Sequence, residues 1–281
     1  MSSYMAAVGS HLSCPNLTEL PTAFPVSPSC PRKTDARSRC APRLARVKTI
    51  SAELLGLANG FVADRFPSAV GAVLAGSSAA GTSTSTSDLD LVVLCPEESF
   101  DGEDASLAAT YEHASRLVEV FAYSPDAYRR WAGRELAAHR PVILAMLAEG
   151  VILRSGPEHV ELRAWADEVL AAGPAIEAHA LDHRRYAVSA LLDDLTDAED
   201  PGERALLLAE AFRALSELLL VAHGCWLGSG KWLLRRLRAW DGSVADRLTE
   251  AFVAGHAVAF VRLADELLAP MGGRLQAGMV R

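Results

Sequence analysis

The sequence predicts an α+β fold in which a small mixed sheet precedes an all-helical bundle. Three short apolar runs, at 69–76, 88–94 and 116–124, are bounded by turn residues and predict buried strands. From about residue 125 onward, apolar residues recur at spacings of three and four, the period of amphipathic helices. Strands in the first half followed by helices in the second are typical of an α+β protein.

The helical pattern divides the rest of the chain into segments punctuated by Gly, Pro and Asp. A first helix is expected before the strands, over 42–66. The others are expected at 126–150, 158–172, 175–197, 202–223, 230–240 and 243–268, with Ser124 before Pro125 as a helix start signal.

The first 42 residues differ from the rest of the chain. They contain scattered prolines and serines with no helical or strand period, and they lack the basic start and apolar stretch of a secretory signal. We therefore expect a disordered tail over 1–42, a sheet-containing domain over 43–150 and a helical domain over 151–275.

Composition restricts the possible classes of function. Half of the 281 residues are hydrophobic, which suits a globular protein with a sizeable core, and the apolar runs are too short to cross a bilayer. Five cysteines fit no zinc-binding spacing, so a reducing, cytoplasmic environment is the simplest expectation. No membrane partner is predicted, and the oligomeric state stays open.

The charge distribution argues against binding to a long nucleic acid. The formal net charge is −8, yet residues 1–48 carry seven Lys or Arg against Glu19 and Asp35, which leaves 20 basic and 33 acidic residues in the remainder. Binding to a polyanion requires a basic surface, and the acidic part of the chain after residue 48 lacks one. An acidic body accommodates small cationic substrates better.

The stretch Asp88-Leu89-Asp90 is the first candidate for chemistry. If it is a strand, alternation places the two aspartates on one face, about 6.6 Å apart along the backbone. Two parallel carboxylates repel each other, and a hard cation such as Mg²⁺ removes that repulsion. The alternative is a strand end with two solvated acids.

A turn of small residues precedes these aspartates. Gly76 and Ser77 follow a predicted buried strand at once, and glycine permits the close backbone approach that lets N–H groups hold phosphates, with the Ser77 hydroxyl as a further donor. Together with the aspartates, this turn predicts a nucleoside triphosphate site.

A third acid lies in the next predicted strand. Glu119 is flanked by Val118 and Val120 and points to the face opposite theirs. A glutamate in a buried strand requires a partner. Sharing a metal site with Asp88 and Asp90 would provide one, and a salt bridge to an arginine is the alternative.

These residues resemble the DNA polymerase β-type nucleotidyltransferase superfamily, most closely its small bacterial nucleotidyltransferases and aminoglycoside adenylyltransferases. The likeness extends over roughly 45–275, through VEVFAYSPDAY, HRPVILAMLAEGVIL, RRYAVSALLDDL and GCWLGSGKWLLRRL. Many relatives carry an arginine after Gly-Ser, where this chain has Ser78. The motif residues are Gly76, Ser77, Gly81, Ser87, Asp88 and Asp90.

The resemblance implies roles for the motif. Asp88 and Asp90 would bind Mg²⁺, with two ions expected, and Glu119 would be either the third ligand or the general base. Gly76, Ser77 and Ser87 would contact ATP. An acceptor hydroxyl would attack the α-phosphorus in line and pyrophosphate would leave.

Two residues of the helical half are further candidates. Asp193 shares one helix face with Asp182, Tyr186 and Ser189, which is either a solvated face or an acidic wall for a cationic acceptor. Lys231 follows glycines at a predicted helix start, where the helix dipole disfavours a cation, and is a candidate contact for the triphosphate.

The predicted function is Mg²⁺-dependent transfer of a nucleoside monophosphate, AMP from ATP, to a hydroxyl of a small molecule, with an aminoglycoside as one candidate. The first alternative keeps the chemistry and makes a protein side chain the acceptor, as in toxin–antitoxin nucleotidyltransferases. The second is a nucleotide-binding regulatory module without catalysis.

Overall fold

The computed structural model describes residues 50–79, 87–102 and 104–278, all of which lie in one compact unit. The predicted tail over 1–42, the motif residue Gly81 and the hydroxyl-rich run that follows it fall outside the described residues. The predicted boundaries between domains remain predictions.

The sheet is mixed, as the sequence predicts. Strand β4 runs parallel to β2 and antiparallel to β3, and β1 runs antiparallel to both β2 and β5, in the spatial order β3-β4-β2-β1-β5. The strands are β1 (Gly71–Ala75), β2 (Leu89–Leu94), β3 (Ser106–His113), β4 (Arg116–Tyr123) and β5 (Val151–Ser155).

The longer helices agree with the predicted segments except where a segment divides, and a four-residue helix at Gly76–Ala79 lies where the sequence predicts a turn. The region 126–150 forms two helices, separated at His139, whose φ is +56°, and Pro141. The region 243–268 divides at Gly255, whose φ is +65°. The helices are α1 (Ala52–Arg65), α2 (Gly76–Ala79), α3 (Pro125–Ala137), α4 (Val142–Glu149), α5 (Pro157–Ala172), α6 (Ala178–Asp197), α7 (Pro201–Ala222), α8 (Lys231–Trp240), α9 (Gly242–Val253) and α10 (Ala257–Leu268).

Two strands were not predicted. The expectation that everything after about residue 125 is helical is wrong at β5, which pairs with β1. Strand β3 follows the connection at 96–104 and forms the outer edge of the sheet beside β4. Both are edge strands with mixed exposure, so neither has the continuous apolar run that marks the central strands.

Side-chain alternation along β2 divides the core of the sheet into two layers. Leu89, Leu91 and Val93 pack with α1 on one face. Val92 and Leu94 pack with α3, α4 and α5 on the other. A separate core fills the helical half from α6 to α10. Within the described residues, no helix has both the length and the apolar composition that crossing a bilayer requires.

The break between α3 and α4 is held by Glu135. Its carboxylate accepts the Ile143 N–H at 2.8 Å and a further hydrogen bond from Val142, so it caps the otherwise unsatisfied N-terminus of α4. Burial raises the pKa of Glu135 from 4.5 to about 7, although these two backbone hydrogen bonds act in the opposite direction.

We expect Glu135→Gln to change the pH dependence of stability. Because the pKa of Glu135 is higher in the folded protein, the folded state holds a proton between about pH 4.5 and 7 that the unfolded chain has released. The free energy of unfolding of the native protein therefore falls as pH rises through this window, by on the order of 2 kcal/mol. The glutamine keeps an oxygen acceptor for α4 and removes the titration.

Urea unfolding at pH 5 and pH 8 measures this effect. The free energy of unfolding of the variant, minus that of the native protein, should be larger at pH 8 than at pH 5. Glu168→Gln, at an exposed position on α5, is the control and should give the same difference at both values. An equal difference for Glu135→Gln at both values would contradict the assignment.

Candidate active site

The turn after β1 lies directly against the Asp90 carboxylate. Ala75, the last residue of β1, pairs with Asp90, and Gly76 then adopts a φ of +65°. A Cβ added at Gly76 would overlap the Asp90 carboxylate and lie 2.6 Å from its Cγ. Glycine is therefore required here for both its conformation and its lack of a side chain.

The next two residues are buried in this turn. Ser77 and Ser78 both lie in α2, and the Ser78 hydroxyl donates to the Asp88 carbonyl oxygen at 3.4 Å. Ser78 thus ties the turn to the residue that precedes β2. Ser87 is half-buried beside it. The predicted contacts of Ser77 and Ser87 with a nucleotide stay predictions.

Two carboxylates meet at the centre of the sheet. Asp90 and Glu119 are directly paired in the parallel register of β2 and β4, and their side chains are joined by a hydrogen bond. A hydrogen bond between two carboxyl groups requires a proton on one of them. Val118 and Val120, on either side of Glu119, are fully buried on the other face, so the predicted orientation of Glu119 is confirmed.

The environment raises the pKa of Asp90 from 3.8 to about 6. Burial is the main cause, followed by the charge of Glu119, the hydrogen bond between the two groups and the charge of Asp88, which is exposed to solvent. The charge of Lys231 acts in the opposite direction. Lys231, Asp88 and Glu119 therefore all surround Asp90, which brings four of the predicted site residues together.

Lys231 comes from the other half of the chain, and hydrogen bonds to main-chain oxygens hold its loop in place. The Leu227 N–H donates to the His139 carbonyl oxygen at 2.9 Å, and the Trp226 indole N–H donates to Leu170 O at 3.0 Å. A Cβ added at Gly228 would lie 2.6 Å from the Trp232 carbonyl carbon, so the loop packs tightly on the first turn of α8. Lys231 begins that helix and is exposed.

A buried carboxylate strengthens the same junction. Glu217, on α7, is 6% exposed and pairs with Arg140 at 2.5 Å, Arg213 at 3.3 Å and Arg184 at 3.4 Å. Arg140 directly follows His139, so the ion pairs and the Leu227 hydrogen bond act on one turn. Sequence analysis missed these residues, although a lone acid within the apolar stretch of α7 is a signal that a partner is required.

Asp193 has partners of its own. Arg274 donates to it at 2.5 Å and Gln276 at 2.6 Å, and the buried Ser189 hydroxyl accepts the Leu275 N–H at 2.9 Å. The segment after α10 therefore covers this part of α6. Ser189 does not belong to a solvated face, whereas an acceptor-binding role for Asp193 stays a prediction. No contact within the described residues joins Asp193 to Asp90.

The carboxylates are the donor type that a hard divalent cation prefers. Asp88, Asp90 and Glu119 offer only oxygen ligands, and the shared hydrogen bond between Asp90 and Glu119 marks a place where a cation can replace a proton. In the described ranges, however, no three His, Cys, Asp or Glu side chains are already arranged to hold a metal ion. The donor set fits Mg²⁺, and the metal itself stays a prediction.

Comparisons with known proteins identify the sheet-containing half. Residues 57–140 match the family model described as nucleotidyltransferase domain, and this chain therefore contains a nucleotidyltransferase domain of the polymerase β-like superfamily. The chain is also similar to the crystal structure of a nucleotidyltransferase-like protein from Exiguobacterium sibiricum 255-15. The sequence identity is 12% and the TM-score is 0.42, and the alignment covers 77% of this chain and 75% of that chain. No significant match was found among curated proteins.

We expect Gly76→Ala to destabilise the protein. An alanine must adopt the left-handed backbone of this turn, and its Cβ displaces the Asp90 carboxylate, which together should cost about 1–3 kcal/mol in the free energy of unfolding. Gly133→Ala is the control, because no atom lies within 4 Å of its added Cβ and it is in α3. That variant should be more stable by about 0.5–1 kcal/mol.

Urea unfolding of both variants at pH 7 checks this pair. An unchanged free energy of unfolding for Gly76→Ala would show that the turn does not lie against Asp90 as described.

Proposed function

We propose that the protein is an enzyme that transfers AMP from ATP to a hydroxyl of a small molecule, with Mg²⁺ as its cofactor. The main support for this proposal is the Asp90–Glu119 pair. It lies against the Gly76 turn, and Asp90 interacts electrostatically with Lys231. A structural role alone does not account for two carboxylates in contact at the centre of a sheet, because burial and mutual repulsion both disfavour them.

The Gly76 turn would contribute backbone donors to the triphosphate. With no side chain at Gly76, the backbone lies directly against the Asp90 carboxylate, so phosphates next to a metal held by Asp90 would be close to the N–H groups of the turn. The buried Ser77 hydroxyl lies in the same turn as a further donor. Lys231, approaching from α8, is the cation that would neutralise the phosphate oxygens.

Asp88 and Asp90 would hold Mg²⁺, and Glu119 would share it or accept the proton of the acceptor hydroxyl. When bound, the metal supplies charge stabilisation for the entering and leaving oxygens at the α-phosphorus. Glu119 contacts Asp90 directly, so either role keeps it within reach of the same atoms. The oxygen of the acceptor forms the new bond to phosphorus, and pyrophosphate carries away the electrons of the broken bond.

The acidic body of the chain supports a cationic acceptor, and an aminoglycoside is the candidate class. Many relatives have an arginine at the position of Ser78, and the lack of this cation favours a non-catalytic module. Its hydroxyl donates to Asp88 O, so Ser78 has a structural function in the turn.

Transfer of label from α-³²P-ATP tests the proposal. Purified protein with MgCl₂ and a panel of aminoglycosides should place label on a small acceptor and release pyrophosphate. Asp90→Asn, which keeps the shape and removes the charge, should lower the rate by about 100-fold or more. Asp64→Asn, at an exposed position on α1, is the control and should retain the native rate.

Label found only on a co-purified protein would replace the small acceptor with a protein acceptor. Tight ATP binding without transfer to any acceptor would leave the regulatory module as the function.

Lys231→Met should weaken the use of ATP without stopping the chemistry. Loss of one charge-assisted contact with phosphate is expected to raise the KM for ATP by about tenfold and to change kcat by less than about twofold. Arg238→Met removes a cation from the same helix, where it pairs with Asp246, and serves as the control with an unchanged KM. Initial rates over a range of ATP concentrations provide the measurement.

An equal rise in KM for both variants would mean that the general charge of α8 acts, and that Lys231 makes no specific contact.

A further inference from the structure

A cavity lies beyond the end of β2 that is opposite to Asp90. Asp90 is near the start of this strand, and Cys95 directly follows its end, about 16 Å further along the backbone. Cys95, Arg65 and Phe66 are among the residues that line a cavity of about 290 Å³ there. The nucleotide site proposed above uses none of these residues.

Arg65 provides the cavity with a cation that has no anionic partner among the described residues. Its guanidinium lies over the Tyr111 ring, 4.8 Å from the centroid, and within the described part of the chain it forms no ion pair or hydrogen bond. Stacking on one face leaves the N–H edge of the guanidinium available to an anion. A carboxylate matches this edge with two parallel hydrogen bonds.

Two hydroxyl groups lie beside this cation. The Ser68 and Ser99 oxygens are 3.0 Å apart, and Ser68 also contacts the Cys95 thiol through a hydrogen bond. Both serines are exposed and line the cavity, so their remaining hydrogen-bonding capacity is available to a ligand.

Hydrogen bonds hold the turn that carries Phe66 and Ser68, two of the residues that line the cavity. Arg154, on β5, donates to the carbonyl oxygens of Phe66 at 3.4 Å, Pro67 at 3.0 Å and Ala69 at 3.1 Å. One guanidinium therefore fixes the whole turn that presents Ser68. Sites that bind small molecules are commonly formed in advance in this way.

The remaining walls are apolar. Phe66, Phe100 and Leu107 line the cavity, and Leu107 is 37% exposed, so apolar surface is accessible to a ligand there. An anion without an apolar part, such as phosphate, would leave these walls in contact with water.

We propose that this cavity binds a small organic acid with an apolar body. The carboxylate pairs with Arg65 and accepts hydrogen bonds from Ser68 and Ser99. The apolar body packs against Phe66, Phe100 and Leu107. The volume suits a molecule of roughly ten non-hydrogen atoms, near the lower limit for ligand sites.

Binding of benzoate to the full chain, measured by calorimetry and ligand-observed NMR, tests the proposal. Benzoate should bind with a millimolar or lower Kd, and Arg65→Met should weaken binding by about tenfold while keeping the apolar stem. Arg134→Met is the matched control, because Arg134 is also exposed and stacks on an aromatic ring, that of Trp131 at 4.5 Å. It should leave the Kd unchanged.

Two further probes separate the parts of the proposal. Benzylamine has the same ring and the opposite charge, and it should not bind; equal binding would overturn the role of Arg65. Inorganic phosphate should bind more weakly than benzoate, and equal binding would overturn the role of the apolar walls. Ser99→Ala, at an exposed position, should weaken benzoate binding by a few-fold without unfolding the protein.

If benzoate does not bind up to 10 mM, about the weakest affinity that calorimetry detects, the proposal is wrong. This outcome leaves the transfer assay unaffected, since Asp90 and Glu119 lie at the other end of the strand.

Discussion

The pairing of Asp90 with Glu119 is the constraint on which the rest of the site depends. The parallel register of β2 and β4 places the two carboxylates side by side, and burial raises the pKa of Asp90 to about 6. Such a pair weakens the sheet, because each group would be more stable in water. Local features that reduce stability without an evident structural benefit are typical of functional sites. The Gly76 turn has the same character, since its left-handed backbone lies directly against the Asp90 carboxylate and leaves no space for a side chain.

The helical half provides a positive charge that partly offsets the negative charge of the carboxylates. Hydrogen bonds and ion pairs connect this half to the sheet-containing half. Lys231 is the cation that lowers the pKa of Asp90, and its loop is attached to the sheet-containing half by the hydrogen bond from Leu227 to His139. Arg140 and the buried Glu217 lock the same turn. Burying the Glu217 carboxylate with its three arginine partners costs desolvation free energy. Removing one partner would cost more, because a buried charge would lose its compensation, so these ion pairs hold the junction together.

The sequence predicted the features that depend on local pattern. The central strands and the orientation of Glu119 followed from apolar runs and alternation. Strands β3 and β5 did not, because an edge strand owes its existence to the neighbour with which it pairs. The acidic face around Asp193 illustrates the same limit. A helical period shows which residues share a face. It does not show that Arg274, 81 positions after Asp193 in the sequence, lies in a segment that covers this face.

The geometry also explains why the matched segment does not determine the acceptor. Asp90 and Glu119 lie on the sheet face that α3, α4 and α5 cover, next to the loop that leads to Lys231. The family match ends at residue 140, before α4 and before every residue of the helical half. Of the elements on this side of the sheet, α3 lies within the matched segment, whereas α4, α5 and Lys231 lie beyond it. Because a fold does not by itself determine a substrate, the acceptor has to be inferred from residues outside the matched segment.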